Sequence, residues 1–303
     1  MEELLARERA AEQHVHYYLN SKDEPIVGLL QALDEYRQIS RTPIFADFES
    51  GGAKREGALW HAHTEGKRYF HRALSGLRKQ QDVPVATRHL IKLYLQFIKD
   101  SQRFYREYIH QLSQSFGGIP ELEAIAQQVK NDGLGESSQS FVTPDVRNNV
   151  LYSCHQALIY LGDLSRYRAS ERLDKKPDFG PAIGYYGLAC SLRPASGMGH
   201  HQLAVIALEQ RHHMRAIYHL YRAIVVEDPH PNAANNLKLE FDKTNAAWDR
   251  GELIEKSVPN DPDSSKRTLV AWFVRLHSMC YKAEPFRGTK SWNVRFKANS
   301  LLS

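Results

Sequence analysis

Two segments of this chain can be laid over one another at an offset of 34 residues, and that register constrains the fold more than any other feature. Ala182 falls on Ala216, Ile183 on Ile217, Ala189 on Ala223 and Leu192 on Val226, and a proline follows each segment, Pro194 and Pro229. Small residues there let neighbouring helices approach, and the spacing is that of the second helix of a helix–turn–helix repeat of about 34 residues. The matching first helices contain Leu161-Gly162 and Leu203-Ala204. These pairs lie 42 apart, so Arg172 to Phe179 reads as an insertion between the helices of the first unit. Two such units cannot bury their faces alone, so other helices must cap the stack.

The flanking sequence supplies candidates. Helical spacing of apolar residues predicts helices over Glu3–Leu19 and, after Pro25, over Ile26–Ser40. Residues 41–57 hold Pro43, Gly51, Gly52 and Gly57 with little periodicity and read as a loop. Two long helices follow, Ala58–Lys79 and Pro84–Phe116. On the second, a wide stripe from Leu90 through Phe97 and Tyr105 to Leu112 is a core face, and Gly117-Gly118 ends it. Residues 131–143 are a polar linker, Pro144 opens a helix over Asp145–Glu171, and a last helix runs over Lys266–Lys282. The tail from Arg287 to Ser303 has little periodicity. Strand signals are nearly absent, so the expected fold is all-α, with tetratricopeptide-like (TPR) hairpins over about 148–228.

Composition narrows the function classes. A mean hydropathy of −0.52 with no long uncharged apolar run excludes a membrane-spanning helix, and the charged start of the chain has no apolar signal core. Cys154, Cys190 and Cys280 are far apart and read as reduced thiols, with neither disulfide nor zinc spacing. Of the net charge of +5, more than all arises between Gly51 and Ser115, where twelve Lys and Arg face five acids. A partner carrying phosphates is a fair inference from that excess, against a merely solvated basic face.

The run Leu161-Gly162-Asp163-Leu164-Ser165-Arg166-Tyr167-Arg168 joins close helix packing to a guanidinium and a phenol suited to phosphate. With Leu59-Trp60, Phe97 through Tyr105, Ala182 through Pro194, Gln202-Leu203-Ala204 and Ala216 through Leu237, the chain resembles the N-terminal region of the telomerase-associated Est and nonsense-mediated-decay Smg adaptor family. The likeness covers most of residues 58 to 243. It implies a 14-3-3-like helical bundle with TPR-like hairpins in an α-α superhelix over residues 1–243, and the start of a C-terminal helical-hairpin region over 244–303.

The resemblance also implies a site. The Gly-Asp-x-x-Arg-Tyr pattern places phosphate contacts on Arg166 and Tyr167, with Lys67 as the partner cation and Arg68 and Arg72 as alternatives. His201 stands where the family places Asn before Gln-Leu-Ala, so His201 and Gln202 are peptide-groove candidates. Chemically, Arg166 can hold two phosphate oxygens bidentately and Tyr167 can donate one hydrogen bond. The competing reading for Arg166 is an ion pair with Asp163 three residues earlier, and for Tyr167 a core phenol.

The implied function is a non-enzymatic adaptor that binds a phosphoserine segment of a Upf-type helicase in nonsense-mediated mRNA decay. The alternative is a telomerase-associated module that binds telomeric single-stranded DNA or telomerase RNA. A blander third reading is a scaffold whose groove (Tyr186, His201, Gln202, Tyr218) takes an unmodified peptide. Neither the pairs His200-His201 and His212-His213 nor His61/His63 make a metal signature, and no phosphate-binding glycine loop or nucleophile elbow is present. No cofactor or metal is expected. Some relatives carry a C-terminal nuclease domain, for which a chain ending at Ser303 has no room, so no enzyme activity is expected. The family also implies cytoplasmic or nuclear residence and the option of a homo- or heterodimer.

Overall fold

The computed structural model describes residues 2–21, 26–80, 83–129, 143–251 and 264–282. Among them the fold is all-α, as expected, and no strand occurs. The helices are α1 (Glu2–Asn20), α2 (Ile26–Ala46), α3 (Ala53–Lys79), α4 (Pro84–Ser115), α5 (Pro120–Val129) and α6 (Pro144–Ser170). Then come α7 (Gly180–Leu192), α8 (Met198–Glu209), α9 (His213–Val225), α10 (Ala233–Asp249) and α11 (Ser264–Tyr281). None of these is long and apolar enough to cross a membrane. The expected polar linker lies outside the described residues except for Thr143, and so does the tail from Arg287.

The chain divides into two compact units, Met1–Gly199 and His200–Ser303. Residue 243 lies inside α10, which packs on α9 and α11.

In the first unit α1 packs on α2, α3 on α2 and α4, and α6 on α4 and α7. Helix α4 behaves as its stripe predicts: Leu90, Tyr94, Phe97, Ile98, Tyr105, Ile109 and Leu112 are all 0–4% exposed. Helix α6 is buried without interruption from Ala157 to Ser165, as befits a helix packed on two sides. Its start is set by Thr143, whose side chain accepts from the Val146 N–H, with Pro144 in the first turn. Its end is a Schellman turn, in which Leu173 N–H donates to the Arg168 carbonyl and Arg172 N–H to the Ala169 carbonyl. Arg172 takes φ 52 there, in the left-handed region that favours glycine. The expected insertion follows as a non-helical stretch up to Phe179.

The expected loop over residues 41–57 is not one. Helix α2 continues through buried Pro43 to Ala46, a π-helical turn spans Phe48–Gly52, and α3 starts at Ala53. Arg55 holds this join by pairing with Asp47 at 2.9 Å and with the buried Glu8 at 3.3 Å. Tertiary contacts thereby override the local glycines and proline.

A buried polar cluster links α2, α3 and α4. Arg37, 2% exposed, donates from Nε to His63 Nε2 at 3.0 Å and from Nη2 to Ser101 Oγ at 3.1 Å. His63 Nδ1 lies 2.7 Å from the Leu59 carbonyl, so its partners fix the neutral tautomer with the proton on Nδ1.

The second unit has its own core: Ala204 of α8, Ile217, Leu220 and Ala223 of α9, Ala233, Leu237 and Phe241 of α10, and Val274 of α11. Ala216 and Ala223 of the repeat are fully buried, as are Ala182 and Ala189 of α7 in the first unit.

Candidate functional site

The site grows from a glycine. A Cβ at Gly162 would sit 2.3 Å from Tyr186 Cε1, so only glycine lets the Tyr186 ring of α7 lie on α6. Tyr186, fully buried, then donates from its hydroxyl to Asp163 Oδ1 at 2.6 Å. Arg166 donates from Nη2 to the same oxygen at 2.9 Å and from Nε to the Tyr186 hydroxyl at 3.3 Å. The ion pair with Asp163, one of the two readings of Arg166, is thus present. It leaves the guanidinium 4.9 Å from the centre of the Tyr167 ring.

From α3, Lys67 brings its ammonium to 5.1 Å from the centre of that same ring. Arg68 lies close enough for its charge to act on the Tyr167 phenol. The structure therefore brings together Lys67, Arg68, Arg166 and Tyr167 from two helices about a hundred residues apart. It does not bring in Arg72, which is exposed one turn beyond Arg68; among the described residues no contact ties it to the cluster.

Each cation of the cluster has a carboxylate partner: Arg166 has Asp163, Lys67 has Glu171 and Arg68 has Glu65. Burial lowers the Arg166 pKa, but the Tyr186 hydroxyl and the Asp163 charge outweigh it, so the group stays cationic. Burial, and then the Asp163 charge, push the Tyr167 phenol up to about 12 against the pull of Arg166, so at neutral pH it keeps its proton to donate.

Two members of the site, Glu171 and His71, were not legible in the sequence. Glu171, with a side chain 10% exposed, sits 3.6 Å from Lys67 Nζ and 2.6 Å from His71 Nδ1. Its backbone carbonyl accepts from Arg78 Nη2 at 2.7 Å. Glu171 reaches inward because α6 ends in the Schellman turn just after it. Only the helix stop at Arg172 hinted at this, and that residue is not a glycine.

The peptide-groove residues fare differently. His201 and Gln202 belong to the second unit. His201 is 7% exposed, stacks on His230 with ring centres 3.6 Å apart and meets Asn236 Nδ2 through Nε2 at 2.9 Å. Its ring is committed to this packing, and Gln202 is half-buried. Tyr186, also expected to face a groove, is fully buried under α6, whereas Tyr218 is 54% exposed. Among the described residues no group of His, Cys, Asp and Glu is arranged to hold a metal ion.

Comparison with known proteins agrees with this architecture. Residues 54–172 match the sequence profile described as "Telomerase activating protein Est1", and residues 182–299 match "Est1 DNA/RNA binding domain". The chain is 32% identical over 222 residues to the nonsense-mediated mRNA decay factor SMG7 of Arabidopsis thaliana, covering 69% of this chain and 20% of that protein. It is 27% identical over 161 residues to the telomere elongation protein est1 of Schizosaccharomyces pombe, covering 48% of this chain and 31% of that one. The crystal structure of Est1 and Cdc13 shares the fold at a TM-score of 0.63 and 12% identity, over 90% of this chain and 60% of that one. The chain thus spans about a fifth to a third of the length of these two curated relatives. Two adjoining Est1 profiles and a relative above 30% identity place it in one group: the chain belongs to the Est1/SMG7 family.

Proposed function

We propose that the first unit binds a phosphoserine segment of a partner protein, a Upf-type helicase, as an adaptor in nonsense-mediated mRNA decay in the cytoplasm or nucleus. The observation that carries this reading is the convergence of Lys67 and Arg166, from separate helices, on the ring of Tyr167. Arg68 adds charge at the edge, and the phenol adds a donor. Each buried charge-assisted contact to the phosphate is worth about 1.5–3 kcal/mol, roughly ten-fold or more in affinity. The resemblance to SMG7, a decay factor, supports the decay branch.

The test is fluorescence anisotropy with one labelled Ser-Gln peptide, phosphorylated and plain. Arg166→Glu is a poor probe, because it would set a second carboxylate beside Asp163 in a largely buried position. Lys67→Gln and Arg68→Gln are better, since each removes a charge without setting a new carboxylate beside Glu171 or Glu65; each is expected to weaken the phosphopeptide about ten-fold. Glu171→Gln is expected to tighten it several-fold by releasing Lys67. Equal affinity for the two peptides would sink the reading.

A second reading, nucleic-acid binding in a telomerase setting, is supported by the Est1 DNA/RNA binding profile over residues 182–299. It finds less support in the basic stretch of the first unit. The α4 aromatics there are 0–4% exposed and offer no platform on which bases can stack. Binding of a telomeric single strand that weakens steeply with salt, without phosphopeptide binding, would favour it.

A further inference from the structure

The second unit contains a cavity of about 1050 Å³ that the site above does not use. Its walls are one face each of α9, α10 and α11. Met214 and Tyr218 are one turn apart on α9, Thr244 and Ala247 lie on α10, and Val270 and Val274 are one turn apart on α11. The floor is aliphatic, closing on the fully buried Val274 and on Ala271 at 5% exposure.

The rim is cationic. Arg211, Arg215, Lys243 and Lys266 line the cavity and are exposed. None of the four has an acidic partner among the described residues, in a protein where many arginines do. The one acid among the lining residues, Glu240, is already paired with His213. Arg211 also stands in a costly conformation. Helix α8 ends in a Schellman turn, His212 N–H to the Ala207 carbonyl at 2.7 Å and Arg211 N–H to the Leu208 carbonyl at 3.0 Å. Arg211 occupies its left-handed position, φ 60, where glycine would be unstrained. The chain holds a charge at the rim in a place where a helix end ordinarily drops its side chain.

We infer that this cavity docks an acidic, amphipathic peptide segment of a partner protein, its apolar side chains on the floor and its carboxylates against Arg211, Arg215, Lys243 and Lys266. Charge complementarity chooses the sign of the partner, and the floor chooses its class. One-turn spacing on the walls suits anchors at i, i+3 or i+4, and i+7 of an entering helix. A nucleic acid would match the charge but not the floor, because bases stack on aromatic faces and Ala247, Val270, Ala271 and Val274 carry no ring. The inference does not depend on phosphate recognition in the first unit, and no phosphate group is needed.

The experiment uses the full chain and a labelled helical peptide of Glu with Leu and Phe at i, i+3, i+4 and i+7. Its controls are a scrambled peptide, a version with Lys for Glu, and an oligothymidine strand. The acidic amphipathic peptide alone is expected to bind. Arg215→Glu with Lys243→Glu, both at exposed positions, is expected to weaken it by at least about ten-fold, and Met214→Ser by several-fold. Circular dichroism melts verify that the variants stay folded. Absence of peptide binding, equal binding of the scrambled peptide, or unchanged affinity in the charge-reversed variant overturns the inference. So does oligothymidine binding through the same residues in place of the peptide.

Discussion

Replacing Gly162 by alanine tests the packing that organises the phosphate-site candidate. The new methyl would lie 2.3, 2.5 and 2.8 Å from three atoms of the Tyr186 ring, so the ring must move. Tyr186 is fully buried and cannot swing into solvent without breaking its 2.6 Å hydrogen bond to Asp163. Overpacking costs about 1–3 kcal/mol and loss of a hydrogen bond to a charged group about 1.5–3 kcal/mol, while alanine in a helix returns about 0.5–1 kcal/mol. The net expectation is a loss of about 2–4 kcal/mol, or roughly 5–15 °C in the unfolding temperature of a unit of this size. Gly184 on α7 is the paired control, because it is exposed and a Cβ there meets nothing within 4 Å. Gly184→Ala should stabilise by about 0.4–1 kcal/mol. Urea unfolding followed by circular dichroism measures both. Shifts of the same sign, or a Gly162→Ala variant within about 0.5 kcal/mol of the parent, would refute the argument that close approach and not helix propensity governs this position.

Other outcomes follow from buried groups and strained turns. Burial, then the Arg37 charge, depress His63 to about 3, so its contribution is complete above the unfolded value near 6.5 and is lost as pH falls from there toward 3. Unfolding free energies from urea titrations between pH 7 and 4 should fall more steeply for the parent than for His63→Gln, by up to about 1.4 kcal/mol per pH unit; parallel profiles would count against a neutral buried imidazole. Arg211→Gly should raise the unfolding free energy of the second unit by about 1 kcal/mol by relieving left-handed strain, while weakening the acidic peptide. A drop in stability would mean that the arginine side chain makes a contact worth more than the strain.

Sequence periodicity carried the long elements well. The α4 stripe and the repeat alanines are read directly from helical spacing, because burial on one face leaves a regular record. Residues 41–57 were misread because glycine and proline mark turns only where tertiary contacts do not hold the chain, and Arg55 holds it here through Asp47 and Glu8. Helix α5, ten residues long, is too short for a strong pattern, although Leu122, Ile125, Ala126 and Val129 make one clean face. Helix α10 carries a legible signal in Ala233, Leu237 and Phe241 at four-residue intervals. At the site, family pattern pointed to Lys67, Arg68, Arg166 and Tyr167, which do converge. Glu171 could not be foreseen, since its inward turn depends on how α6 stops, and Arg72 failed because one helical turn carried it off the cluster. The packing of His201 is not legible locally, because its partners, His230 and Asn236, come from a segment whose return path local spacing does not encode.

Glu171 gives the first unit the character of an ion exchanger. Its carboxylate, at the end of α6, sits against Lys67 and His71, one turn apart on α3, a resident anion beside the Lys67 ammonium. A phosphate bound there as proposed would trade places with that carboxylate and shed few condensed salt ions, so its affinity should depend on salt concentration far less than a count of the surrounding cations would suggest.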